Sequence, residues 1–270
     1  MMKMNKYSYK LTVISPVILS PRDSMAIYLS KDEKAALKEK NGIACNIIYP
    51  FYQYGEYLEY SPENTEYYIP GSSIKGSLLA GNTLPIERVL MVDDIPVKAD
   101  KLELIISTHA ESLNFLKPEN TKLEGKHPSF AKFFENVGLE SLKMDSVIEG
   151  ALQSNFDIAE IVNFAGERAK KRTEEYIRQL LEIEKRADGS EYSDKGKEDF
   201  TRTLDTVIEN LKHLQEKTNL LFLGGHKGLL RSLTEGSAIE LLWRSGIYFD
   251  DKSYLPFGIV EIEYKKESSA

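Results

Sequence analysis

Three features of the sequence predict an α+β fold: strand-like alternation near both ends of the chain, two long helical patterns between them, and no GxGxxG turn after a strand. A length of 270 residues with 41% hydrophobic content is ordinary for a globular protein and allows one large core or two small ones. The charged share of 29% and the formal net charge of −7 argue against a protein that coats nucleic acid non-specifically, so any such contact has to be local. Cys45 is the single cysteine, which rules out an intramolecular disulfide and a cysteine zinc site. His109, His127, His213 and His226 are scattered without metal-ligand spacing, and no metal or cofactor is expected. No signal core follows the N-terminal lysines and no run approaches a membrane span, so the expected compartment is the cytoplasm, with no membrane partner.

The elements follow in order. Residues 7–14 alternate with the period of a half-buried strand, and Pro16 stops them. Ser30 to Lys40 reads as a short, exposed helix. Between residues 47 and 68 stand Tyr49, Tyr52, Tyr54, Tyr57, Tyr60, Tyr67 and Tyr68. Tyrosine stacks on unpaired bases at roughly 1–3 kcal/mol per contact, and it also packs on twisted strands. A helix opens at Pro70-Gly71 and stops at Gly81-Asn82. Residues 86–94 read as a strand ending in Asp93 and Asp94, 101–108 as another, and 144–156 as a third.

Asp157 is the expected N-cap of a long helix carrying Ile158, Ile161, Val162, Ala165, Ala169, Tyr176, Ile177, Leu180 and Leu181 at helical spacing. A polar break from Asp188-Gly189-Ser190 through Gly196 precedes a second helix marked by Phe200, Leu204, Val207, Ile208, Leu211 and Leu214. The pair, about 157–218, predicts an antiparallel hairpin that leads directly into a glycine-rich loop; its charged outer face is either solvated or meets a neighbouring subunit. Strands return at 237–243 and 257–264, and the polar tail Lys265 to Ala270 is expected to fray.

Two segments carry the chemistry. Pro70-Gly71-Ser72-Ser73-Ile74-Lys75-Gly76-Ser77 opens a helix, whose free N–H groups and dipole favour a phosphate. Taken alone it is also an ordinary helix entry. Gly71 and Gly76 have P-loop spacing, but that motif needs Gly-Lys-Ser/Thr and the order here is Lys75-Gly76-Ser77, which excludes a P-loop NTPase. The second segment is Leu223-Gly224-Gly225-His226-Lys227-Gly228-Leu229-Leu230-Arg231, a glycine-rich tract with basic residues inside it. Alone, it reads equally as a helix end or a hairpin turn.

Together with the opening Tyr9-Lys10-Leu11-Thr12-Val13-Ile14-Ser15-Pro16-Val17 and the closing Leu255-Pro256-Phe257-Gly258-Ile259-Val260-Glu261-Ile262, these segments resemble the RAMP proteins of CRISPR effector complexes. The run Tyr68 to Leu78 is similar to the PGSSIKGALR signature, Leu223 to Arg231 to the family's glycine-rich loop, and the two ends to its first strand and its Pro-Leu-Gly-Trp-Val ending. Leu79 and Ile259 depart from that pattern, standing where it often has arginine and has tryptophan. Order and spacing are most like the fifth-subunit branch of the type III-A Csm complexes.

The resemblance implies a RAMP fold of one domain over residues 1–270: a modified ferredoxin-like (RRM-like) antiparallel sheet, about 7–156 and 219–264, with the helical hairpin inserted. It also implies a non-catalytic RNA-binding subunit that caps the backbone near the three-prime end of the guide RNA in antiviral defence. Its partners would be guide CRISPR RNA, target RNA and neighbouring RAMP subunits. The RNA-binding residues expected are Ser72, Ser73, Lys75, Gly76, Gly224, Gly225, His226, Lys227, Gly228 and Arg231, which address the backbone and not the bases. Two alternatives stand beside this reading. One is a RAMP endoribonuclease, for which Asp23 is the catalytic candidate; the other is a protein-interaction module without direct RNA contact.

Overall fold

A computed structural model describes residues 4–20, 26–55, 58–79, 84–85, 87–111, 113, 128–132, 136–189, 194–225 and 246–267. In chain order the strands of the first half are β1 Asn5–Val13, β2 Ile27–Tyr28, β3 Ile47–Tyr49, β4 Tyr67–Ile69, β5 Leu90–Val92, β6 Ile95–Val97, β7 Leu102–Ile105 and β8 Thr108–Glu111. Helix α1, Lys31–Asn41, lies between β2 and β3, and α2, Gly71–Leu79, follows β4. The second half holds β9 Ser129–Lys132, β10 Val137–Leu142, β11 Val147–Ser154, α3 Ala159–Asp188, α4 Asp194–Leu214, β12 Leu220–Phe222, β13 Tyr248–Phe249 and β14 Ile259–Lys266. The fold class is mixed α+β.

The largest sheet has the order β12-β14-β1-β11-β5, with every neighbouring pair antiparallel. β1 lies at its centre because its alternation is strict: Tyr7, Tyr9, Leu11 and Val13 are buried while Lys6 and Lys10 are exposed. Leu11 stands opposite Ile148 on one side and Ile262 on the other, so three strands contribute to one apolar layer. Ile74 and Leu78 of α2, with Ile161, Val162 and Ala165 of α3, close over that layer. A second sheet, β2-β3-β10-β7, contains a parallel β3–β10 pair; β13-β8-β9 and β4-β6 form two smaller ones.

The hairpin forms as its periodicity predicts. Phe200, Leu204, Val207, Ile208, Leu211 and Leu214 are all buried, in one cluster with Tyr176, Ile177, Leu180 and Ile183 of α3. At about 1.5–3 kcal/mol for each such buried side chain, this interface, not helix propensity, holds the two helices. Leu181 differs from expectation: it is 40% exposed, because one residue beyond Leu180 turns it about 100° to the rim of the contact. Asp157 does serve the helix start, its Oδ1 accepting the Ala159 N–H at 3.1 Å, although Ile158 is the residue adjoining the helix. Gly196 lies within α4 and not in the break before it.

Three further expectations are corrected. The strand read over 86–94 is only Leu90–Val92, because the Asn155 side chain accepts the Val89 N–H at 2.8 Å and donates to the Glu87 carbonyl at 2.7 Å in place of a strand partner. Lys265 and Lys266 are not frayed: they pair with Ser8 and Tyr7 in the central sheet. The hairpin reaches the glycine tract through β12, whose Leu221 and Leu220 enter the two main core clusters. The strand expected at 237–243 lies outside the described residues. Among the described residues no helix is long and apolar enough to cross a membrane.

Candidate nucleic-acid interface

β4 delivers the chain to Pro70, and α2 starts at once. Gly71 packs under the turn between β5 and β6 so closely that a Cβ there would lie 2.1 Å from the Val92 carbonyl oxygen, so only glycine fits. Three of the first four N–H groups are already engaged. Gly71 donates to Asp94 Oδ1 at 2.7 Å, and Ser73 and Ile74 donate to the Pro70 carbonyl at 2.9 and 3.4 Å. Asp94 therefore caps α2; the partial positive charge of the helix start draws the carboxylate there. The same carboxylate, after burial, pushes up the Tyr68 phenol pKa. What remains for an external anion is the Ser72 N–H, the Ser72 and Ser73 hydroxyls and the Lys75 ammonium, none of which has a hydrogen-bond or ion-pair partner among the described residues.

Helical spacing sorts these groups. Ser73 and Ser77, four apart, share one flank, and the Ser77 hydroxyl donates to the Phe222 carbonyl at 2.9 Å. Ser72 and Gly76 form the exposed crest. Nothing lies within 4 Å of the Cβ position of Gly76, so no packing demand of the described fold requires glycine there. Lys75, two residues from both Ser73 and Ser77, leaves from the opposite flank.

Phe222 ends β12 and leads into the glycine tract. Leu223 N–H donates to the Gly258 carbonyl at 2.7 Å and Gly225 N–H to the Ile18 carbonyl at 2.7 Å. Gly224 has φ +82°, and a Cβ on it would lie 2.3 Å from the Ile18 carbonyl oxygen, so both conformation and space select glycine. The opening turn is tied to the closing segment as well. Ser15 Oγ donates to the Pro256 carbonyl at 2.6 Å and accepts the Ile259 N–H at 3.0 Å, and Gly258 N–H donates to the Pro16 carbonyl at 2.8 Å. Within the described residues, α2, the opening turn, the closing segment and residues 223–225 are thus joined, with the Ser73–Ser77 flank of α2 against Phe222.

His226, Lys227, Gly228 and Arg231 lie outside the described residues, as does Asp23. Sequence reading missed Ser77, Asp94 and Ser15. Ser77 was within reach of it, since it repeats Ser73 at four residues on a helix; Asp94 and Ser15 act across the chain and carry no local signal.

Compared with known proteins, the chain matches no protein-family model and no curated sequence.

Proposed function

We propose that this chain is a non-catalytic RNA-binding subunit of a type III-A CRISPR (Csm) effector complex, built on a RAMP-type, ferredoxin-like sheet and capping the backbone near the three-prime end of the guide RNA. The observation that carries the reading is the Ser77–Phe222 hydrogen bond, which sets the Ser73–Ser77 flank of α2 against the strand entering Gly224-Gly225. Support also comes from Gly76. A glycine inside a helix costs about 1 kcal/mol relative to alanine, and here that cost has no packing reason within the described fold, whereas a nucleic-acid backbone lying on the crest would need the space. The Ser72 N–H and the two hydroxyls donate to phosphate oxygens, with Lys75 adding charge from the far flank. Such contacts ignore base identity, as a guide of variable sequence requires.

Binding of a single-stranded RNA oligonucleotide by the full chain, measured against salt concentration, tests this. Lys75→Ala, Lys227→Ala and Arg231→Ala should each weaken binding and each reduce the slope of log affinity against log salt by about 0.7. Affinity and slope unchanged in the triple variant would overturn the reading.

A further inference from the structure

We propose that a groove walled by Tyr9, Asp93, Asp94 and Tyr264 receives an arginine side chain presented by a basic segment of a partner protein. The groove has a volume of about 620 Å³ and lies over the middle of the central sheet, between the Asp93–Pro96 turn and β14. Asp93 and Asp94 supply its carboxylates, whereas the register of β1, β11 and β14 places the Lys10, Glu149, Glu263 and Lys265 side chains on the sheet face opposite Tyr9 and Tyr264. Lys10 is taken up by Glu149 at 3.2 Å, and one oxygen of Asp94 holds the Gly71 N–H at 2.7 Å. The Asp93 carboxylate has no partner among the described residues and stands exposed at the groove wall.

The acidic lining alone would define nothing. The second observation is the Tyr9 hydroxyl. Tyr9 is 2% exposed, and its hydroxyl oxygen is buried without a hydrogen-bond partner. Its ring fills the space beside Gly150, where a Cβ would lie 2.5 Å from Tyr9 Cζ. A buried hydroxyl left unpaired is destabilising, and a native fold keeps one where something else satisfies it.

A guanidinium suits both groups. It is planar and always charged, and it carries five N–H donors, enough to bond the Asp93 carboxylate and the Tyr9 oxygen together while the half-buried Tyr264 ring offers a π face. A nucleic acid does not suit this groove, because the Asp93 and Asp94 carboxylates oppose its phosphates. Beyond Asp94 the surface continues as the Tyr68 ring stacked on Tyr54 at 4.1 Å, with Tyr54 half exposed, a face for a second cation of the same segment. The inference does not depend on the RNA-binding reading, since it uses none of the proposed RNA contacts.

The test uses the full chain and a fluorescein-labelled peptide of alternating arginine and glycine, with a citrulline-for-arginine peptide of equal length beside it. The arginine peptide should bind saturably, and the citrulline peptide at least tenfold more weakly. Asp93→Asn should weaken arginine-peptide binding about fivefold or more, whereas Asp199→Asn on α4, an equal change in net charge, should leave it unaltered. Tyr9→Phe should weaken the peptide while raising the melting temperature of the free protein, an outcome that a hydroxyl with a purely structural partner would reverse. No saturable arginine-dependent binding, or equal losses in the two asparagine variants, would overturn the proposal. So would a loss of single-stranded RNA binding on Asp93→Asn, which would assign the groove to nucleic acid.

Discussion

Ser77 and Phe222 stand 145 residues apart in sequence, yet the Ser77 hydroxyl donates to the Phe222 carbonyl at 2.9 Å. This bond joins α2 to the last residue of β12, one step before the glycine tract begins. It fixes the Ser73–Ser77 flank of α2 against the strand that leads into Gly224 and Gly225. Ser77→Ala should destabilise the fold by about 1 kcal/mol in urea denaturation. It should also weaken single-stranded RNA binding, although the hydroxyl itself is committed to the protein. Full RNA affinity in Ser77→Ala would show that the tether is dispensable for binding.

The two glycines of α2 should respond in opposite directions. Gly76→Ala meets open space and gains helix propensity, so it should raise stability by about 0.5–1 kcal/mol while lowering RNA affinity. Gly71→Ala places a methyl 2.1 Å from the Val92 carbonyl oxygen and should cost about 1–3 kcal/mol through forced backbone movement. Paired denaturation and RNA titrations check both, and a Gly76→Ala protein that binds RNA normally would remove the crest from the interface.

Glu140 is a buried carboxylate on β10 that accepts the Phe51 N–H at 2.8 Å and the Tyr67 hydroxyl at 2.7 Å. It fastens the tyrosine-rich segment ahead of α2 to the second sheet. Glu140→Ala leaves two buried donors without this acceptor and should destabilise by about 3 kcal/mol. Glu140→Gln retains an acceptor oxygen and should lose less. Circular dichroism during urea unfolding gives both values.

The hairpin carries a pH response. Glu184 of α3 shares a hydrogen bond with Asp205 of α4, and this contact, then burial, raises the Glu184 pKa to about 7; Asp188 raises it further and Lys212 opposes. A carboxyl group raised in the folded state stabilises most below its unfolded value, near 4.5 here, and loses that contribution as pH climbs through about 7. Glu184→Gln, neutral throughout, should therefore melt higher than the parent at pH 8 and converge with it by pH 4.5. Parallel melting curves at every pH would show that Glu184 does not titrate in this window.

Much of the architecture was legible because its cause is local. The alternation of Tyr7, Tyr9, Leu11 and Val13, and the spacing from Phe200 to Leu214, each place one apolar face on one element, and any fold that buries that face must use it. The capping box of α1 is equally local, with the Ser30 hydroxyl accepting the Glu33 N–H and Glu33 accepting the Ser30 N–H. The serine-rich helix start was visible in the same way, whereas the need for glycine at positions 71 and 224 comes from the Val92 and Ile18 carbonyls that the fold packs against them.

Tertiary structure decided the partners. Asn155 ends β5 from 66 residues away, Asp94 takes the Gly71 N–H from 23 residues away, and Ser77 reaches Phe222 across 145. A polar group accepts whichever partner packing brings within about 3 Å, and the amino-acid order carries no period that encodes the choice. The residue types and the faces they occupy came from the sequence alone; which helix start keeps a free donor, and what stands across from it, came only with the folded chain.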